Sequence, residues 1–62
     1  MYWKIIAFTY EGTLMTHDYD SEDHARTDFN VRIQHFNDRF TVLLQVRSNS
    51  VKAKILETYP SR

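Results

Sequence analysis

The densest set of chemically active side chains lies in residues 16–29, which read THDYDSEDHARTDF. Two histidines and five carboxylates fall within these fourteen positions, a density that is also found in metal sites and in acid–base clusters. The same residue types begin helices, because Asp and Ser accept hydrogen bonds from the first backbone N–H groups and acidic side chains favour the positive end of the helix dipole. The stretch is therefore compatible with a metal site, an acid–base site or a helix start.

Metal binding is poorly supported by the spacing of these residues. A calcium loop that began at Asp18 would need glycine at its sixth position and a bidentate glutamate at its twelfth, where the chain has Asp23 and Phe29. A transition-metal site would have to use His17 and His24, whose spacing matches no strong metal motif, and the chain has no cysteine. The sequence predicts no metal and no cofactor, and leaves open whether the two histidines bind an adventitious metal.

Catalysis finds no support in the remaining residues. The single glycine, Gly12, excludes a glycine-rich phosphate loop and a nucleophile elbow, and there is no thiol nucleophile. A chain of this length buries only about 60% of the surface that its unfolded form exposes, which is too little for a deep acid–base pocket. The sequence therefore predicts that the protein is not an enzyme.

A helix start explains the acidic stretch most economically. Asp20 and Ser21 are typical N-cap residues, and an apolar stripe follows them over about four turns. The helix is expected to end near Asn37 or Asp38, because asparagine can adopt the left-handed conformation that closes helices. The predicted stripe consists of Ala25, Phe29, Ile33 and Phe36.

Strands are indicated on both sides of this helix by aromatic and β-branched residues with a period of two. The first hairpin has strands at residues 3–10 and 14–19 around a turn at Gly12. The second runs over residues 40–47, turns at 48–50 and continues from Val51 until Pro60. The order ββαββ predicts an α+β fold, in one small globular domain over residues 1–62, with the helix packed on one face of a four-stranded, mainly antiparallel sheet.

The uncovered face of this sheet is the predicted binding surface. The alternation in the second hairpin places basic side chains and two leucines on it, and one aromatic side of the first strand must also lie outside the core. The sequence does not determine the strand order or which side of the first strand the helix covers. The predicted partner-binding residues are Leu43, Arg47, Lys52, Lys54, Leu56, Tyr2, Phe8 and Tyr10.

Exposed apolar area of this extent favours a protein interface. We expect a small interaction module that binds a protein partner or a second copy of itself as a homodimer, through the uncovered face or a sheet edge. The alternative is single-stranded nucleic-acid binding, with bases stacked on the aromatic rings and phosphates on the lysines. A net charge of zero and a pI of about 6.8 are not typical of nucleic-acid binders.

Charge is unevenly distributed along the chain. Residues 1–30 carry two basic and six acidic side chains and residues 31–62 carry six basic and two acidic ones, so the halves have net charges of −4 and +4. We expect the two halves to attract each other within the fold. The absence of cysteine, of a signal peptide and of a membrane-length apolar run predicts a cytoplasmic protein with no membrane segment.

Overall fold

Four strands and one helix are present in the computed structural model, which describes residues 1–47 and 52–60. The order ββαββ and the α+β fold predicted from the sequence are confirmed. The predicted turn at residues 48–50 and the predicted strand residue Val51 lie outside the described residues. The elements are β1 (Tyr2–Phe8), β2 (Leu14–Tyr19), α1 (Glu22–His35), β3 (Phe40–Val46) and β4 (Ala53–Tyr59).

The sheet is antiparallel throughout, in the order β2-β1-β3-β4. The first hairpin turns where predicted, because Gly12 adopts a φ of 92° that residues with a side chain rarely take. The helix connection then returns the chain so that β3 pairs with β1. The two central strands are therefore the first strand of each hairpin, and β2 and β4 form the edges.

Edge strand β4 contains an irregularity in its pairing with β3. Leu43 pairs with Glu57 and Leu44 pairs with Ile55, so that Leu56 is an extra residue between two regular pairs. Such a bulge bends the strand and changes the direction of nearby side chains. Here it gives the helix side of β4 two consecutive residues, of which Leu56 packs against the core.

The acidic stretch is the start of the helix, as predicted. Ser21 is the N-cap and its side-chain oxygen accepts a hydrogen bond of 3.3 Å from the backbone N–H of His24. Glu22 and Asp23 follow in the first turn, where their charge favours the positive end of the helix dipole. The helix start therefore accounts for two of the five carboxylates in this segment, and Asp18 and Asp28 have partners in Lys4 and Tyr19.

The end of the helix differs from the prediction. The last helical residue is His35, and Phe36 is an extended C-cap whose N–H donates to the carbonyl of Arg32 at 2.9 Å. The predicted left-handed closure at Asn37 is wrong, since no residue other than glycine has a positive φ in the described parts of the chain. The chain leaves the helix extended because Asp38 is held directly by the side chain of Arg32.

The core lies between the helix and one face of the central strands. Phe29 is only 1% exposed, and it packs with the helix residue Ala25 in a cluster that includes Ile5 of β1 and Leu43 of β3. Ile33 packs against this cluster as predicted, but Phe36 is 54% exposed. Phe36 lies outside the core because it comes after the last helical turn.

The assignment of faces in the second hairpin was wrong. Leu43, which the alternation placed on the uncovered face, is completely buried beneath the helix, and Leu56 also packs against the core. Because paired residues in antiparallel strands point to the same side, the register of Leu43 with Ile5 places both on the helix side. A period of two indicates that a strand has two unlike faces, but it does not indicate which face a distant helix will cover.

Two ion pairs connect the helix to strand β4 and to the segment that precedes β3. Arg32 donates hydrogen bonds to both carboxylate oxygens of Asp38, at 2.6 Å from its Nε and 3.0 Å from its Nη2. The Asp38 side chain is only 6% exposed. Arg26 reaches Glu57 of β4 at 2.5 Å. Two hydrogen bonds with little exposure to solvent hold a side chain more firmly than an exposed ion pair does. Arg32 therefore holds the segment at Asp38 that leads into β3.

The two phenylalanines of the predicted stripe should respond very differently to truncation. Phe29→Ala empties a buried position and should lower the free energy of unfolding by about 3–5 kcal/mol. Phe36→Ala removes an exposed ring that lies 4.2 Å from the guanidinium carbon of Arg32, a contact worth about 1 kcal/mol or less. Urea unfolding followed by circular dichroism measures both changes. Equal losses would contradict the described core.

Candidate interaction surface

The sheet face opposite the helix is the largest apolar surface of the described residues. The register of the three strand pairs places fourteen side chains on this face, and ten of them are apolar. We call this surface the open face. Its apolar members are Leu14 of β2, Tyr2, Ile6 and Phe8 of β1, Phe40, Val42, Leu44 and Val46 of β3, and Ala53 and Ile55 of β4.

Apolar contacts run across the open face from edge to edge. Phe8 and Phe40 are directly paired across β1 and β3, and their rings stack with centroids 5.4 Å apart. Leu14 and Ile55, at the two edges, are 60% and 62% exposed. Contiguous apolar surface of this kind is uncommon on monomeric proteins unless a partner covers it.

The open face contains one cation and one anion, and they are partners. Lys4 and Asp18 occupy paired positions on β1 and β2, with Nζ and Oδ1 3.6 Å apart. The other polar members are Thr16 and Thr58. The face therefore carries no net charge and could be covered by an apolar surface without repulsion.

The predicted partner-binding residues are divided among three places. Tyr2 and Phe8 lie on the open face, and Tyr10 is 66% exposed in the turn after β1. Leu43 and Leu56 belong to the core region described above. The three basic residues, Arg47, Lys52 and Lys54, line one concavity with Gln45 and Ala53.

The basic residues lie on the opposite side of the sheet from Tyr2 and Phe8. Gln45 is two residues from the buried Leu43 on β3, so both side chains point to the helix side of the sheet. Lys54 pairs with Gln45 and therefore points to the same side. Tyr2 and Phe8 point to the opposite side. The combined basic and aromatic face expected from the sequence is not formed.

The two histidines of the acidic stretch meet around Tyr19 rather than around a metal ligand set. The Tyr19 ring centroid lies 4.7 Å from that of His17 and 5.1 Å from that of His24. The Nε2 of His24 is 3.6 Å from a carboxylate oxygen of Asp28. Within residues 1–47 and 52–60, no three His, Asp or Glu side chains are placed to hold a metal ion together.

Tyr19 joins the edge strand β2 to the helix. Its hydroxyl donates a hydrogen bond of 2.9 Å to Asp28, and burial, with this bond and the charge of Asp28, raises the pKa of Tyr19 to about 12. Beside it, a groove of about 150 Å³ runs between β2 and α1 over Ile5 and Ala7. Tyr19, Asp28 and Arg32 are among the other residues that line it.

Most residues of the open face were missed by sequence reasoning. Val42, Leu44 and Val46 were the more apolar side of β3 and were therefore expected in the core. One signal could have indicated the opposite arrangement. Ala7 provides a place where a helix can approach β1 closely, whereas Phe8 on the other side does not.

Comparisons of the chain with protein-family models, with curated protein sequences and with solved structures find no match. No helix among the described residues has the length and apolar character needed to cross a bilayer.

The ionisation of Tyr19 should be visible in an absorbance titration. The difference between the native chain and Tyr19→Phe at the tyrosinate band is expected to have its midpoint near pH 12 rather than near 10.0. Since the folded pKa is raised, this group's stabilisation is complete below the unfolded pKa and is lost as pH rises through the folded one. A difference curve centred near pH 10 would contradict the burial of Tyr19 and its contact with Asp28.

Proposed function

We propose that this chain is a small, non-enzymatic protein-interaction module that forms a homodimer by packing its open face against that of a second copy. The observation that carries the proposal is the distribution of apolar side chains, because the helix covers the face with Ala7 and Thr41 and leaves Phe8, Phe40 and Leu44 uncovered. A partner with a complementary apolar sheet would remove this surface from water, and a second copy supplies one.

The area of the open face is compatible with a weak dimer. Four strands about 4.8 Å apart and seven residues with a rise of about 3.3 Å cover roughly 440 Å² of flat surface. Two copies packed face to face would thus bury roughly 900 Å² of flat surface in total, and more because side chains make the surface uneven. Stable interfaces bury at least about 1,200 Å² in total. We expect a dissociation constant on the order of micromolar or weaker, because an interface of this size leaves little binding energy after the cost of association.

Electrostatics also favour a second copy over a charged partner. The chain has no net charge, so two copies do not repel each other at long range. In a two-fold arrangement the same surface meets itself, and Lys4 of one copy can approach Asp18 of the other. The open face has no excess of one sign that would select an acidic or a basic protein.

The small size of the core gives self-association a thermodynamic benefit. The core described above has six buried hydrophobic residues, and two of them are alanines. A 62-residue chain buries a smaller fraction of its surface by itself than a larger domain does. Packing two open faces would create a second apolar layer on the uncovered side of each sheet, as in a β-sandwich.

Single-stranded nucleic-acid binding through a basic and aromatic face is less well supported. Such binding needs rings for the bases beside cations for the phosphates, whereas Tyr2 and Phe8 point away from the side on which Lys54 lies. The expected cytoplasmic location stays a prediction, which rests on the absence of cysteine.

Sedimentation velocity over a range of concentrations tests the dimer. The chain of 7.5 kDa should shift with rising concentration towards twice that mass. Ile55→Lys places a charge on an exposed position of the open face and should abolish the shift. Val31→Lys, at a position 47% exposed on the helix, is the matched control and should leave it unchanged.

Filtered nuclear Overhauser spectra of mixed labelled and unlabelled chains identify the surface. Contacts between copies should involve the methyl groups of Leu44 and Ile55. A strict monomer up to millimolar concentration would overturn the proposal. A dimer with no contacts at these methyls, and with new hydrogen-exchange protection along β2, would replace it with strand addition at that edge.

A further inference from the structure

The concavity at the end of the second hairpin adjoins the open face at Ala53. It has a volume of about 380 Å³, and its lining among the described residues consists of Gln45, Arg47, Lys52, Ala53 and Lys54. This volume lies within the range of small-ligand sites, about 300–1,000 Å³. Three of these described lining residues are cations and none is an acid. The cations lie on the helix side of the sheet, whereas Ala53 is shared with the open face.

Two cations of this concavity have no carboxylate partner among the described residues. Lys4, Arg26 and Arg32 each have a carboxylate within 4 Å. Arg47 and Lys54 have no ion pair with any residue of 1–47 or 52–60. The charge of these two side chains is therefore not neutralised by a described carboxylate.

We infer that this concavity is a binding site for phosphate groups. Arginine presents a planar set of donors that matches two phosphate oxygens, and lysine adds a compact charge. The side chains of Arg47 and Lys54 are both exposed and belong to neighbouring strands or their ends, so both can reach one anion. The amide of Gln45, which pairs directly with Lys54, adds polar atoms to the same wall.

The ligand class follows from what the site contains and what it lacks. Among the described residues, no aromatic ring lines the concavity as a platform on which a base could stack. The described lining therefore favours recognition of phosphate charge. Free pyrophosphate and the backbone of a single-stranded nucleic acid both offer this chemistry.

Amide chemical shifts of the folded chain, recorded during titration with pyrophosphate at low ionic strength, test the site. Saturable changes are expected at Gln45, Arg47 and Lys54. Lys54→Glu should raise the dissociation constant about tenfold or more. Arg39→Glu is the matched control, because it changes the net charge equally at an exposed arginine before β3, and should raise the constant less than about twofold. Lys54→Gln, which loses a charge without reversing it, should lie between the native chain and Lys54→Glu.

A parallel titration with oligothymidylate identifies the source of the phosphate. Binding at least about tenfold tighter than that of pyrophosphate would identify a polymer backbone as the ligand, and in that case Lys54→Gln should reduce the salt dependence by about one unit of log–log slope. Similar affinities would identify the free anion. The inference is overturned if neither probe gives saturable shifts at these residues, or if Arg39→Glu weakens binding as much as Lys54→Glu does.

Discussion

A single helix can cover only one side of a four-stranded sheet, and this constraint determines most of the structure. A helix with its side chains is about 10–12 Å wide, whereas four strands span about 19 Å. The helix must therefore choose one face and, on that face, must be centred on a few strands. Here Phe29 packs over Ile5 and Leu43 on the two central strands. The edge strand β4 reaches the helix side through Leu56 and Glu57.

The size of side chains explains which face the helix covers. Ala7 on β1 and Ala25 on α1 are both fully buried, and their small volume allows the backbones to approach. Phe29 then fills the space that remains. The opposite face has Phe8 beside Phe40, whose stacked rings would hold a helix at a greater distance. Close packing therefore outweighed total hydrophobicity, and the more apolar side of β3 was left outside.

The sequence predicted the local features of this fold well, because they depend on neighbouring residues. Ser21 begins the helix and Gly12 makes the turn, and each does so through its own backbone or side-chain chemistry. The sequence failed where a feature depends on distant residues. The burial of Leu43 depends on its register with Ile5 and on the path of the helix. The same limit applies to the interaction surface, because Leu43 lies beneath the helix and not on the open face, and because the side of β1 that the helix covers depends on packing between distant residues.

The bulge at Leu56 has a consequence for how assemblies of this chain can grow. Continuous pairing of sheets edge to edge requires a regular edge strand on both sides of each molecule. The irregular β4 interrupts the even ladder of N–H and C=O groups on one side, while β2 pairs regularly on the other. The β4 edge of each molecule is therefore a poor partner for a further strand. Single copies with a more apolar β2 would therefore join in pairs through that edge, instead of extending edge to edge into fibres.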